Sequence, residues 1–338
     1  MSRRQVMRPT KVTENEASER KPGTDCPATV KMREVLSKAI RPSTELKELQ
    51  IPSRERLLGD WFMECDLGFI FAPRGLGKTW LVLAVAAALS NGSDCGPWRR
   101  GAKVRVLYVD GEMPCESIRE RIEGLDGAEN LMVLNHEALF HLAEKTLNLA
   151  DIGIQEALTE WLLLNDVKVL ILDNLSCLFS GVKENEADAW ECILRWLLSL
   201  RRNRIAVVIV AHSGRNKEMR GTSRREDAAF WIIRLDEVQG DEREGARFIS
   251  RFTKDRNSKR EQPSTKWEFR TDPEGRVSIS TSAASPMDVF RQWIEDGLTS
   301  AEDIAREMGC SKGQISKLAK RGISEGWLRK NGRLYALA

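Results

Sequence analysis

The stretch Leu67-Gly68-Phe69-Ile70-Phe71-Ala72-Pro73-Arg74-Gly75-Leu76-Gly77-Lys78-Thr79-Trp80 decides how the rest of the chain is read. An apolar run without polar alternation predicts a strand buried on both faces. The segment from Lys78 to Leu89 is apolar nearly all round and predicts a buried helix. Between them, Ala72 to Thr79 has the spacing of a phosphate-binding loop. Its backbone N–H groups and the positive helix end would cradle phosphates. Lys78 would bring a point charge to the β- and γ-phosphates, and the Thr79 hydroxyl would ligate Mg²⁺. Ala72 replaces the usual first glycine, where the loop needs only a small residue. Ala72, Pro73, Arg74, Gly75, Leu76, Gly77, Lys78 and Thr79 are therefore the predicted binding loop for ATP with Mg²⁺.

Working outward, apolar strands alternate with helical segments. Val104–Asp110, Val167–Asp173 and Ile205–Ala211 read as strands. Pro114–Leu125, Ile154–Leu164 and Glu186–Asn203 read as helices. This is the α/β pattern of a doubly wound, mostly parallel sheet covered on both faces. Later segments at Phe230–Leu235, Arg247–Thr253, Lys266–Arg270 and Val277–Ser280 are short and closely spaced, which predicts an antiparallel extension of the sheet.

Carboxylates at strand ends supply the remaining chemistry, because ligands of open α/β sheets bind at the carboxyl edge. Asp173 ends an apolar strand and is placed to hold the Mg²⁺ shell. Asn174 follows it, so a general base must come from elsewhere. Glu112, just beyond the strand ending at Asp110, is the candidate to orient and deprotonate the attacking water, with Asp110 as runner-up. His212 ends another strand and is a candidate to hydrogen-bond the γ-phosphate or the attacking water. The loop from Ser213 to Arg225 is basic and lacks apolar periodicity. Arg215, Lys217 and Arg220 in it suit a nucleic-acid backbone.

The ordered set Phe71–Trp80, Tyr108–Pro114, Leu170–Asn174 and Arg220–Ser223 resembles the RecA-like ATPases of the plasmid RepA helicase group, relatives of the DnaB-type replicative helicases. The resemblance covers about residues 50 to 280. It implies that Glu112 is the catalytic glutamate and that His212 senses the γ-phosphate. It also implies a Lys-x-Arg pair reaching into the neighbouring subunit's ATP site, a role that falls to Lys254 and Arg256. By the same resemblance the protein forms a homo-oligomeric ring, expected to be a hexamer, with single-stranded DNA through its channel.

The Ser-rich stretch Ser280–Pro286 reads as a linker, and Pro286–Ala338 as a winged helix-turn-helix. Ser311 caps the third helix there, and Asn331-Gly332 marks the wing hairpin. Lys312, Gln314, Lys317, Lys320 and Arg333 are its candidate duplex contacts. The predicted domains are a flexible segment 1–48, an ATPase domain 49–280 and a winged helix 286–338.

Composition narrows the class of protein. The chain has 338 residues, 41% hydrophobic and 30% charged, as expected of a globular protein. A net charge of +3 does not by itself indicate nucleic acid. Seven scattered cysteines with no C-x-x-C argue against a zinc site or disulfide frame. The longest apolar run is too short to span a bilayer, and no signal peptide is legible, so a cytoplasmic protein is expected. The expectation is a DNA-dependent ATPase, a helicase or replication protein of a plasmid or mobile element. A non-motor ATPase that switches DNA binding for regulation, partition or defence is the second reading, and a small-molecule kinase the third. A kinase would need neither the winged helix nor Glu112.

Overall fold

The computed structural model describes residues 27–127, 129–181, 187–214, 219, 224–238 and 245–338. The side chains of residues 27–30, 187–189 and 224 are outside that description. The chain divides into two compact units, Met1–Ser53 and Arg54–Ala338. Within the first, a helix spans Pro27–Ala39 and a 3₁₀ turn spans Ser43–Glu48.

The second unit is built on a nine-stranded sheet among the described residues. In chain order its strands are β1 (Leu67–Ala72), β2 (Arg105–Asp110), β3 (Leu131–Asn135), β4 (Val167–Asp173), β5 (Ala206–His212), β6 (Trp231–Glu237), β7 (Ala246–Asp255), β8 (Thr265–Thr271) and β9 (Val277–Ala283). Their spatial order is β9-β8-β7-β6-β1-β5-β4-β2-β3. All pairings from β6 through β3 are parallel. Those from β6 to β9 are antiparallel. The predicted doubly wound sheet with its antiparallel extension is therefore present.

Helices α1 (Lys78–Asn91), α2 (Cys115–Gly124), α3 (His136–Ala143), α4 (Ile152–Leu164) and α5 (Ala187–Arg202) connect the parallel strands. Side chains alternate across the sheet. Ile70, Val106 and Val208 share one core with Leu81 and Val85 of α1. Phe69, Leu107 and Val207 share the other with Leu158 of α4 and Trp190 and Leu197 of α5. Two apolar faces explain why the central strands carry no polar alternation. The pair β3 and α3 is absent from the sequence reading. Its strand is only five residues long and runs straight into Asn135, whose side chain caps α3 by accepting the N–H groups of Glu137 and Ala138.

The stretch read as a linker is strand for most of its length. All seven residues of β9 pair with β8, and six of them are exposed. An edge strand facing solvent has no apolar side to display, so its serines resemble a loop. Only Ala284 and Ser285 remain before the next helix, α6 (Pro286–Glu295). Helices α6, α7 (Ala301–Glu307) and α8 (Lys312–Ser324) and the hairpin β10 (Leu328–Asn331) and β11 (Leu334–Leu337) enclose a small core of Phe290, Ile304, Ile315, Leu328 and Tyr335.

This C-terminal module is fastened to the sheet. Asp296, at the end of α6, lies 2.7 Å from Arg234 on β6 and 2.5 Å from Arg251 on β7. Arg234 also pairs with Asp236 at 2.7 Å, and Arg251 lies over the Trp293 ring of α6 at 4.7 Å. No helix among the described residues is long and apolar enough to cross a membrane. The described cysteines are free.

Close approach of β1 to β6 rests on Gly68. A Cβ there would lie 2.1 Å from the Trp231 ring, whose side chain is fully buried. Gly68→Ala is expected to lower stability by at least ~2 kcal/mol, as overpacking does in a closed core. A urea titration checks this, and an unshifted midpoint would show that Trp231 can move aside.

Candidate nucleotide site

Four of the predicted residues meet because parallel register brings strand ends together. Ala72 aligns with His212 across β1 and β5, and Asp110 with Asp173 across β2 and β4. With β5 between β1 and β4, the loop after β1, His212 and Asp173 share the carboxyl edge of the sheet.

The loop between β1 and α1 turns through positive φ at Gly75 (77°) and Gly77 (94°). A Cβ at Gly77 would lie 2.8 Å from the Ala246 Cβ, so this position needs glycine for both space and conformation. A Cβ at Gly75 would meet nothing within 4 Å, which leaves the loop's outer side open. Lys78 is buried, and its Nζ donates to the carbonyls of Ala72 (3.2 Å) and Pro73 (2.8 Å). Burial lowers its pKa, while the Asp173 and Glu112 carboxylates favour its charged form.

Thr79 Oγ1 donates to Asp173 Oδ2 at 2.8 Å, and the Tyr108 hydroxyl donates to the same oxygen at 2.7 Å. Asp173 is buried, and desolvation pushes its pKa up against the pull of those two hydroxyls and Lys78. A hydroxyl and a carboxylate this close fit a hard divalent cation that keeps most of its waters.

Asp110, the runner-up base, is held within a turn. Its carboxylate accepts from the Met113 N–H at 3.1 Å and from Asn135 Nδ2 at 2.7 Å. Burial, then the nearby Asp173 charge, pushes its pKa up to about 7. Glu112, by contrast, is exposed and reaches over the site. Its Oε2 accepts from Asn174 Nδ2 and lies 4.0 Å from His212 Nε2. Sequence reasoning missed Tyr108 and Asn174. Tyr108 reads as an ordinary strand aromatic, and Asn174 had registered only as a missing acid.

Next to α1, a cavity of about 600 Å³ is lined by Trp80, Ser117, Glu120, Arg121, Pro273 and Val277. The Arg121 guanidinium lies 4.7 Å from the Trp80 ring.

Lys254 and Arg256 are not brought to this site. Lys254 pairs with Ile232 at the start of β6, where Trp231 is in register with Gly68. That is the amino end of β1, about four residues of strand, roughly 13 Å, from the loop. There Lys254 Nζ donates to the Glu226 carbonyl, and Arg256 Nη2 donates to the Asp227 carbonyl at 3.2 Å.

Arg215, Lys217 and Arg220 lie outside the described residues. Arg225, at the end of the same stretch, is buried with its guanidinium 4.8 Å from the Trp190 ring, so it packs rather than facing a channel. In the C-terminal module, Lys312 pairs with Glu302 at 2.8 Å. Gln314 closes a capping box, its Oε1 accepting the Ser311 N–H at 2.9 Å. Both side chains therefore have structural partners. Lys317, Lys320 and Arg333 are exposed.

Comparison with known proteins adds a family. The AAA domain family matches residues 37–218. No curated protein matches the chain. Among solved structures, the flagellar accessory protein FlaH from Methanocaldococcus jannaschii is similar at 15% identity and a TM-score of 0.42, over 65% of this chain and 91% of that one. A KaiC-like protein from Pyrococcus horikoshii OT3 is similar at 13% identity and a TM-score of 0.46, over the same shares of the two chains. The family match spans more than half of the sequence and includes the loop, Glu112, Asp173 and His212, so the chain belongs to the AAA domain family and is an ATP-hydrolysing P-loop enzyme.

Proposed function

We propose that the protein is a ring-forming, DNA-dependent ATPase, a helicase or replication protein of a plasmid or mobile element. The observation that carries this reading is the position of Lys254 and Arg256. They lie at the sheet edge opposite their own P-loop, so they can complete an ATP site only on a neighbouring copy. There they would stabilise charge developing on the transferred phosphoryl group.

Within one copy, the loop and Lys78 hold the phosphates. Thr79 and Asp173 would hold Mg²⁺, which supplies charge neutralisation at the β- and γ-phosphates when bound. Glu112 orients the attacking water and takes its proton, and His212 contacts the γ-phosphate.

The three helices and hairpin of the C-terminal module fit a winged helix-turn-helix, with exposed Lys317, Lys320 and Arg333 meeting duplex phosphates. ATP turnover measured with and without single-stranded DNA tests the reading. Stimulation is expected, and a rate indifferent to DNA would remove it. Strand displacement on a forked duplex then separates a motor from an ATP-switched DNA binder.

Two further outcomes are expected. Arg256→Ala alone should be inactive, yet regain part of its activity when mixed with Lys78→Ala, since mixed rings contain some complete sites. No recovery on mixing would place Arg256 outside a shared site. Replacing Lys317 and Lys320 together by alanine should reduce the salt dependence of duplex affinity by roughly two units of log–log slope, about 0.9 per lost phosphate contact. An unchanged slope would mean that α8 does not face DNA.

A further inference from the structure

Asn174 uses every polar atom of its side chain, and each points to a different part of the site. It is buried at 1% exposure directly after Asp173. Its Oδ1 accepts the Cys177 N–H at 3.2 Å, capping the short turn Leu175–Leu178. That bond fixes the amide, with its oxygen toward the turn and Nδ2 toward the sheet edge. Nδ2 carries two hydrogens. One is donated to Glu112 Oε2, and the other faces His212 Nε2 at 3.3 Å. The Glu112 segment lies tight against this turn. Gly111 N–H donates to the Asp173 carbonyl at 2.8 Å, and a Cβ on Gly111 would come within 2.8 Å of Leu178.

We propose that Asn174 is a positioning residue that ties the Glu112 carboxylate to the His212 ring, so that the two answer the γ-phosphate as one unit. The inference rests on the reading of Glu112 as the base and His212 as the phosphate contact. An amide nitrogen only donates, so His212 Nε2 accepts here and the ring proton sits on Nδ1. A nitrogen that accepts from Asn174 cannot at the same time donate to a phosphate oxygen. To bond the γ-phosphate through Nε2, the edge that faces Asn174, the ring has to carry its proton there instead of on Nδ1, which sets two donors face to face and releases Asn174 from His212. The Asn174 amide stays fixed by Cys177, and the Glu112 carboxylate, now its only other partner, pivots about that bond toward the water. When the phosphate leaves, the bridge re-forms and Glu112 is drawn back.

Variants separate this role from simple capping, because Asp and Ser cap a helical turn about as well as Asn. Asn174→Asp keeps the capping oxygen and removes the donor. Its kcat should fall ~10- to 100-fold, the scale for a displaced catalytic group, with ATP Kd and melting temperature close to those of the parent protein. Asn174→Ala should lose kcat to the same degree. A parental kcat in Asn174→Asp, or recovery by Asp of the kcat lost in Ala, would reduce Asn174 to a cap and overturn the proposal. If the new carboxylate beside Glu112 prevents folding, Asn174→Ser takes its place, since its hydroxyl can cap the turn but is too short and has too few hydrogens to bridge Glu112 and His212 together.

A double-mutant cycle gives a second readout. Asn174→Ser combined with His212→Ala should cost little more than the larger single loss, whereas fully multiplied losses would show that the two residues act separately. Failure of the underlying reading looks different. Glu112→Gln would then retain turnover, whereas failure of this inference alone leaves Glu112→Gln slow and Asn174→Asp normal.

Discussion

Lys78→Ala is expected to abolish ATP turnover, with kcat/KM falling ~1,000-fold or more, while the protein stays folded. The ammonium is the one buried cation of the P-loop, and its two hydrogen bonds go to loop carbonyls. Charge placed where the phosphoryl group develops negative charge typically contributes 10²- to 10³-fold or more per group. The fold does not depend on it in the same way. Burial lowers the Lys78 pKa, so its charge is held there at a desolvation cost. Helix α1 is anchored by its buried run from Leu81 to Leu89. Phosphate release and a circular-dichroism melt measured on one preparation check both halves. Parental turnover in a folded Lys78→Ala protein would end the assignment of this loop as the ATP site.

Glu112→Gln should bind ATP and hydrolyse it at least ~100-fold more slowly, the scale for losing a positioned general base. Glutamine keeps the length of the side chain and an oxygen to accept from Asn174 Nδ2, so the variant removes proton-accepting capacity and little else. The other carboxylates at the edge are committed. Asp173 is tied by Thr79 and Tyr108, and Asp110 by the Met113 amide and Asn135. Glu112 alone is exposed over the site. Binding of a fluorescent ATP analogue beside steady-state turnover separates affinity from chemistry. Near-parental turnover with normal binding would pass the role to Asp110 despite its turn bonds.

Local order was legible in the sequence, and long-range partnership was not. The P-loop is a contiguous spacing between a strand and a helix, and Asp110, Asp173 and His212 follow apolar runs long enough to be strands. Their meeting at one edge follows from parallel pairing, which the lack of polar alternation implies. Tyr108 was hidden because a tyrosine in a buried strand usually packs. Here its hydroxyl crosses to the neighbouring strand. Asn174 was read against the glutamate it replaces, and only three-dimensional placement shows what its amide joins. Lys312 and Gln314 looked like groove contacts by composition, yet one has Glu302 as partner and the other caps its own helix. Charge counts along a helix cannot separate such uses. The serines of β9 illustrate the same limit at an exposed sheet edge.

The fastening of Asp296 between Arg234 and Arg251 bears on how freely this protein's parts could be exchanged. A cut at Ala284, just after β9, would leave Arg251 without its carboxylate and Arg234 with Asp236 alone. Arg251 is already partly exposed, and both arginines would meet water once the module is gone, so the loss is that of charge-assisted hydrogen bonds, about 1.5–3 kcal/mol, a noticeable share of what holds a domain of ordinary stability. The two halves have separate apolar cores, yet the ATPase half is finished electrostatically by a residue that the other half supplies. A chimera that grafts a foreign DNA-binding module at this junction would have to bring an acid to the same spot. Recombination between relatives would be confined to crossovers that keep both arginines and the aspartate in one parent's segment, or that replace all three together.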